Sequence, residues 1–148
     1  MLIESLKILF DRNLTLLRNE IDSYQNEAKI WVIEENISNS AGNLCLHLIG
    51  NLNTYIGAEI GKTGYVRHRE LEFSTKNIAK SVLIQKIDDT MHIVNQSLDK
   101  LSEANLYAEY PLLVLDKKTS YAFFLVHLSS HLAYHLGQIN YHRRLLDL

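Results

Sequence analysis

Four segments of the chain place apolar residues at intervals of three and four, the spacing that aligns side chains along one face of an α-helix. The first stripe is Ile3, Leu6, Phe10, Leu14, Leu17, Ile21 and Tyr24. The second is Ala41, Leu44, Leu48, Leu52, Tyr55 and Ile56, and the third is Ile84, Ile87, Met91, Val94, Leu98 and Leu101. The last stripe contains Phe124, Leu128, Ile139 and Leu146. Only one proline and six glycines occur in 148 residues, so few positions break a helix. The chain is predicted to be all-α.

Short polar residues indicate where the helices begin. Ser40 or Asn43 is a suitable cap for the second helix, Ser81 for the third, and Thr119 or Ser120 for the last, which runs to about Leu146. Between them, GYVRHRELEFSTKN is predicted to be a long loop, and residues 105–118 form either a short strand-like excursion or a buried loop. Four amphipathic helices with long connections predict a four-helix bundle, with an irregular all-α domain as the alternative.

Length and charge limit the possible partners. A chain of 148 residues suits one domain, 1–148. Its net charge of −2 argues against a nucleic-acid partner, which a basic face would attract. No apolar stretch approaches the roughly 20 residues that cross a bilayer, so no membrane partner is expected. Cys45 is the only cysteine, which rules out an internal disulfide and favours a reducing, cytoplasmic location.

Histidines are concentrated in the last helix. Four of the seven lie there, and together with Gln138 they fall in a sector of roughly 80° that overlaps the apolar face: His127, His131, His135 and His142. Burying an imidazole without a partner costs about 1–3 kcal/mol, so this cluster requires an explanation. His131 and His135 are four residues apart, a spacing at which two imidazoles can bind one metal ion.

A third ligand is available in the second helix. His47 lies beside a stripe of small or polar residues, Ser40, Asn43, Gly50, Asn51 and Thr54. Such a stripe suggests either a half-buried pocket lining or a solvated edge of the bundle. His47, His131 and His135 would form a site with an open position for zinc, nickel or iron. Cys45 points to another side of the helix and is excluded as a ligand, and haem held between facing histidines is an alternative.

The sequence resembles the DinB-like superfamily of metalloenzymes, also called DinB/YfiT-like. The segments that carry the resemblance are HLIGNLNTYIG from His47, GYVRHRELEF, and HLSSHLAYHLGQINYHRRLL from His127. They cover nearly the whole chain in order and spacing. The resemblance implies an up-down-down-up four-helix bundle, often a homodimer, in which His47, His131 and His135 hold a divalent metal.

Relatives with an assigned activity are thiol S-transferases that use bacillithiol or mycothiol, a thiol-dependent isomerase, or hydrolases. The resemblance therefore implies a small-molecule thiol and an electrophile as partners. Leu136 stands where the family often has arginine, which weakens the expectation of an anionic ligand. No general base is evident, so no catalytic residue is assigned. The alternative function is a non-catalytic helical bundle that binds a metal or ligand, or that dimerises.

The remaining polar residues have two interpretations each. His127 and His142 either orient the metal ligands or are spare polar residues at the pocket rim, and Gln138 either holds a water, caps a carbonyl or makes a hydrogen bond inside the bundle. Arg67 and Arg69 either bind an anion or form a surface salt bridge with Glu70 or Glu72. We expect Tyr134 and Tyr141 in packing or dimer contacts, and the two remaining histidines, His68 and His92, in solvent.

Overall fold

The computed structural model describes all 148 residues and contains five α-helices and no β-strand. The helices are α1 (Leu2–Asp22), α2 (Ala41–Leu52), α3 (Arg69–Ser74), α4 (Lys80–Leu98) and α5 (Tyr121–Leu146). Short 3₁₀ turns occur at Glu27–Trp31 and Glu103–Tyr107, and a π-helical segment, Asn53–Ala58, continues directly from α2. The all-α prediction is confirmed.

Serine side chains begin two of the helices as predicted. The Ser40 hydroxyl accepts a hydrogen bond from the backbone N–H of Asn43 at 3.1 Å, and the Ser120 hydroxyl accepts one from Phe123 at 3.1 Å. These bonds satisfy N–H groups that the first turn of a helix leaves free. The prediction that Ser81 caps the third long helix is wrong, because α4 begins at Lys80 after Ala79 and has no side-chain cap.

The segment GYVRHRELEFSTKN is not all loop, because Arg69–Ser74 forms α3. This helix is too short to be stable alone, so its contacts with α2 stabilise it. The Asn43 side-chain amide donates to the carbonyls of Glu72 at 2.9 Å and Thr75 at 2.8 Å, which ties the end of α3 to α2. In the other uncertain segment, residues 105–118, a single bridge pairs Glu109 with Ser120 and no strand forms.

The long helices pack into a bundle in which α1 and α2 each contact both α4 and α5. The predicted apolar stripes form one core of 27 buried residues, among them Phe10, Leu48, Ile87 and Leu128. None of the helices combines the length and the apolar character needed to cross a membrane. Because α2 packs beside α5, His47 of α2 faces the histidines of α5.

Candidate metal centre

Three histidine rings from two helices converge between α2 and α5. His47, His131 and His135 each offer one ring nitrogen, and these three nitrogens lie within 4.8 Å of one another. The Nε2 atoms of His47 and His131 are 3.2 Å apart. Two nitrogen ligands of one tetrahedral zinc ion lie about 3.3 Å apart, because each Zn–N bond is about 2.0–2.1 Å. The structure therefore brings together the three predicted residues at a spacing that suits a shared ion.

A buried carboxylate holds the ring of His47. Its Nδ1 lies 3.1 Å from Oε1 of Glu72, whose side chain is only 7% exposed. Arg67 donates to both oxygens of the same carboxylate, from Nε at 2.8 Å and from a terminal nitrogen at 3.0 Å. Burial by itself would raise the pKa of Glu72, but the hydrogen bonds from His47 and Arg67 hold that pKa below its ordinary value. The ionised carboxylate accepts the Nδ1 proton of His47, which leaves Nε2 of that ring as the free ligand atom.

The small residues of α2 make room for this carboxylate. A Cβ atom at Gly50 would overlap the Glu72 carboxylate, so α3 can approach α2 this closely only because residue 50 has no side chain. Gly50 lies three residues after His47 and seven after Asn43, so all three lie along the face of α2 that α3 covers. The predicted polar stripe of α2 is therefore the surface that receives α3 and Glu72.

An amide holds the ring of His135. Its Nδ1 lies 2.7 Å from Oε1 of Gln138, one turn further along α5. An amide oxygen only accepts, so Nδ1 of His135 carries the proton and Nε2 is free. Gln138 therefore acts on His135 as Glu72 acts on His47, but from an exposed position.

The third ring, His131, has no such support. Its Nδ1 atom is buried and has no hydrogen-bond partner. Burial, together with the neighbouring rings of His135 and His47, lowers the pKa of His131 to about 4. Burial also lowers the pKa of His135. Neutral imidazoles are the form that binds a metal, and free ring nitrogens in close contact are the atoms that an ion would join. The residues present thus fit a divalent transition metal.

The family model described as "Protein of unknown function (DUF1572)" matches residues 2–147. The chain belongs to the DUF1572 family. No curated protein is similar enough in sequence to count as a match. The match spans every helix of the bundle and all three histidines.

Two further histidines of this DUF1572 chain have other surroundings. His142 is buried: the Tyr24 hydroxyl donates to its Nδ1 at 2.6 Å, and its Nε2 donates to the Val32 carbonyl at 2.8 Å. His142 borders a cleft beside α5, as predicted, but it is not a spare polar residue, because its two ring nitrogens bind Tyr24, just after α1, and Val32. His127 is half-buried and stacks on Phe124, with ring centroids 5.9 Å apart.

The structure confirms some of the remaining sequence predictions and corrects others. His68 and His92 are exposed, as expected. Cys45 is completely buried, which raises the pKa of its thiol to about 12 and confirms that it is no part of the histidine cluster. Arg67 does pair with Glu72, but the pair is buried rather than on the surface. The Nε2 contact between His47 and His131 leaves no space for a porphyrin between those two rings.

Sequence reasoning missed Glu72 as a partner of His47. It lies in a segment without an apolar stripe, where an acidic residue is normally solvated. The available signal was the glycine at position 50 on the same face as His47, which indicates that another group approaches α2 closely.

A cleft of about 820 Å³ adjoins the centre on the α5 side. One wall is the segment 36–39, and the other is the face of α5 from Tyr134 to Leu145. His135 and Gln138 both line it, so the cleft of this DUF1572 protein begins at a member of the histidine triad.

Proposed function

We propose that the protein is a divalent-metal-dependent enzyme and that His47, His131 and His135 hold the ion, which would be zinc, nickel or iron. In this proposal the bundle has the DinB-like up-down-down-up four-helix topology. The observation that carries the proposal is the convergence of three ring nitrogens within 4.8 Å, two of them in rings already oriented through Nδ1 by Glu72 and Gln138. Such partners typically accompany histidines that bind metals.

Three protein ligands are typical of a catalytic site with an open coordination position, whereas a structural zinc site is closed by four. A divalent ion lowers the pKa of a thiol or water that it binds and so supplies a nucleophile at neutral pH. The chain itself orients the ligands: Glu72 and Arg67 hold His47 from the α3 side, and Gln138 holds His135 from the cleft.

Thiol S-transfer agrees better with these surroundings than base-assisted hydrolysis does. The one carboxylate in contact with the triad, Glu72, is bound by both His47 and Arg67, and its pKa is below the ordinary value. It is therefore poorly suited to accept a proton from water. A free thiol has a pKa of about 8.5 against 15.7 for water, so a thiol needs much less assistance to ionise. The proposed partners are thus a small-molecule thiol and an electrophile.

The proposal includes a cytoplasmic homodimer. Exposed apolar residues in the N-terminal half of α5, with Phe123 58% and Val126 46% exposed, support a contact with a second copy away from the cleft. The single cysteine, which cannot form an internal disulfide, supports a cytoplasmic location.

Measurement of the metal content tests whether the three histidines bind an ion. Purified wild-type protein and the variants His131→Ala and His92→Ala are loaded with zinc, nickel or iron, desalted and measured by elemental analysis. His92 is an exposed histidine on α4 and serves as the matched control. We expect one ion per chain in the wild type and in His92→Ala, and loss of the ion in His131→Ala. Equal content in all three proteins would refute the triad.

A non-catalytic metal-binding bundle is the second candidate, and the absence of a free carboxylate at the triad favours it. Turnover separates the two functions. The metal-loaded protein is incubated with a low-molecular-weight thiol and an electrophile, and conjugates are measured by mass spectrometry. An enzyme forms conjugate faster than the His131→Ala variant does, whereas a binding module binds its ion and shows no difference.

A further inference from the structure

At five of the six glycines, the folded chain itself explains why the residue has no side chain. At four of them a Cβ atom would meet a neighbouring atom at 3.0 Å or less; these are Gly42, Gly50, Gly57 and Gly61. Gly64 has a φ of 79°, in the left-handed region that favours glycine.

Neither a steric contact nor a left-handed backbone explains the glycine at position 137. It lies in the interior of α5, where glycine is less favourable than alanine, and it has no positive φ. A Cβ built there meets nothing within 4 Å. Nothing in the folded chain occupies the space beside it, so the space is open to a molecule that is not part of the chain.

That space is the cleft. Gly137 lies on its α5 wall, after His135 and before Gln138 and Tyr141 along the helix, and the segment 36–39 forms the other wall. Thirteen residues line the cleft, and none is Asp, Glu, Lys or Arg, although charged residues make up 22% of the chain. The polar groups that line it are amides, hydroxyls and imidazoles, accompanied by aromatic and aliphatic side chains.

We infer that this cleft binds an uncharged organic molecule with a flat or aromatic part, seated over Gly137 and reaching toward His135. A carboxylate or phosphate entering the cleft would lose hydration and find no cation among the lining residues to replace it. Arg67 is occupied by Glu72. Arg144, the cation beside the cleft, is exposed to solvent and lies over the outer ring of Tyr141, with its Cζ 5.2 Å from the ring centroid. Aromatic phenols and neutral amides instead suit a neutral polar or aromatic ligand.

This inference rests on the proposed function, to which it adds that the cleft delivers an uncharged electrophile and that the thiol approaches the ion from another direction. A second copy of the chain is the other possible occupant of the space beside Gly137. The cleft favours a small molecule because it is concave and has a second wall, the segment 36–39, whereas helix packing between copies requires an open helix face.

Binding of two matched probes tests the inference without turnover. 2-Naphthamide and 2-naphthoate have the same ring system and differ in charge. Each is titrated to millimolar concentration into ¹⁵N-labelled wild-type protein, and into Gly137→Ala and Gly137→Leu variants, which introduce progressively larger side chains into space that is empty in the structure. Amide shifts of Ser38, Asn39 and Gln138 report on the cleft, and light scattering reports the oligomeric state.

We expect the neutral probe to shift these amides and to bind at least about tenfold more tightly than the anion. Gly137→Ala should weaken its binding and Gly137→Leu should abolish it, with the oligomeric state unchanged. Equal or tighter binding of 2-naphthoate, or no binding of either probe, would overturn the inference. So would unchanged probe binding in Gly137→Leu accompanied by loss of a dimer, which would identify a second copy as the occupant. Metal content is measured separately, so failure of the triad remains distinguishable from failure of the cleft.

Discussion

The two sides of the histidine centre hold their rings by the same chemistry and with different rigidity. On the α2 side, His47 donates to a buried carboxylate that is itself bound by Arg67 and seated against Gly50. On the α5 side, His135 donates to an exposed amide beside an open cleft with Gly137 at its wall. One side is closed by packing and charge, and the other is left open. The contrast indicates that the α2 side positions the centre while the α5 side admits a ligand.

Removing Glu72 should produce the largest effect, because it breaks the closed side at its centre. In Glu72→Ala, Arg67 remains buried without a partner and the Nδ1 proton of His47 loses its acceptor. We expect the free energy of unfolding to fall by about 3–5 kcal/mol and metal affinity to fall about 10–100-fold. Urea denaturation of the metal-free protein and competition with a chelator measure the two effects separately.

Two variants sharpen this prediction. Glu72→Gln keeps an oxygen that can accept from His47 but loses the charge opposite Arg67, so its effect should be smaller than that of alanine. Glu70→Gln changes an exposed carboxylate on the same short helix and should leave metal affinity unchanged. If Glu70→Gln and Glu72→Ala behaved alike, the closed side would have no special role.

The same substitution at two glycines should have opposite effects on the two sides. Gly50→Ala pushes a methyl group into the Glu72 carboxylate, and we expect a loss of about 1–3 kcal/mol in unfolding free energy, typical of overpacking. Gly137→Ala meets no atom within 4 Å and removes a helix-interior glycine, so it should add about 0.5–1 kcal/mol. Thermal and urea unfolding of both variants measure this, and a loss at both positions would contradict the difference between the sides.

Removing Gln138 should affect the metal more than the fold. In Gln138→Ala the exposed amide that orients His135 is lost, and little buried surface changes. We expect metal affinity to fall by less than about tenfold and stability to change by no more than about 0.5 kcal/mol. Gln138→Glu retains an acceptor for His135 and is the matched control in the chelator competition. If Gln138→Ala lost as much metal affinity as Glu72→Ala, the exposed α5 side would contribute as much to metal binding as the closed α2 side.

The open side was easier to predict from the sequence than the closed one. His131, His135 and Gln138 lie within eight positions of one helix, where periodicity places them on one face, and the polar stripe beside His47 indicated the facing helix. Ser40 and Ser120 were recognisable as caps because capping depends on local residues. The closed side depends on α3, a six-residue helix without an apolar stripe that contacts with α2 stabilise. Local patterns do not reveal a helix of this kind, so its buried carboxylate looked like a surface charge.

The smallest predicted effect is a dependence of the unfolding free energy on pH, and it arises from His142, which lines the cleft. His142 is buried, which lowers its pKa, and its two nitrogens bind Tyr24 and the Val32 carbonyl just before the segment 36–39. In the unfolded chain a histidine takes up a proton near pH 6.5, whereas the folded chain resists protonation of His142 until a lower pH. The unfolded state therefore binds more protons in this range, and the unfolding free energy should fall as the pH decreases below about 6.5.

His131 and His135 also have lowered pKa values and add to the same trend, so the contribution of His142 is obtained as a difference between proteins. We expect His142→Asn, measured by urea unfolding of metal-free protein from pH 7.5 to 5.0, to be less stable than the wild type at pH 7.5 because Tyr24 and Val32 lose a partner. Its stability should also decline less steeply with acid, because one histidine that resists protonation has been removed. Parallel curves for the two proteins would show that His142 titrates alike in the folded and unfolded chain. The segment 36–39 would then not depend on a neutral His142 ring. The difference between the closed side and the open side of the centre would be supported by Glu72 and Gly137 alone.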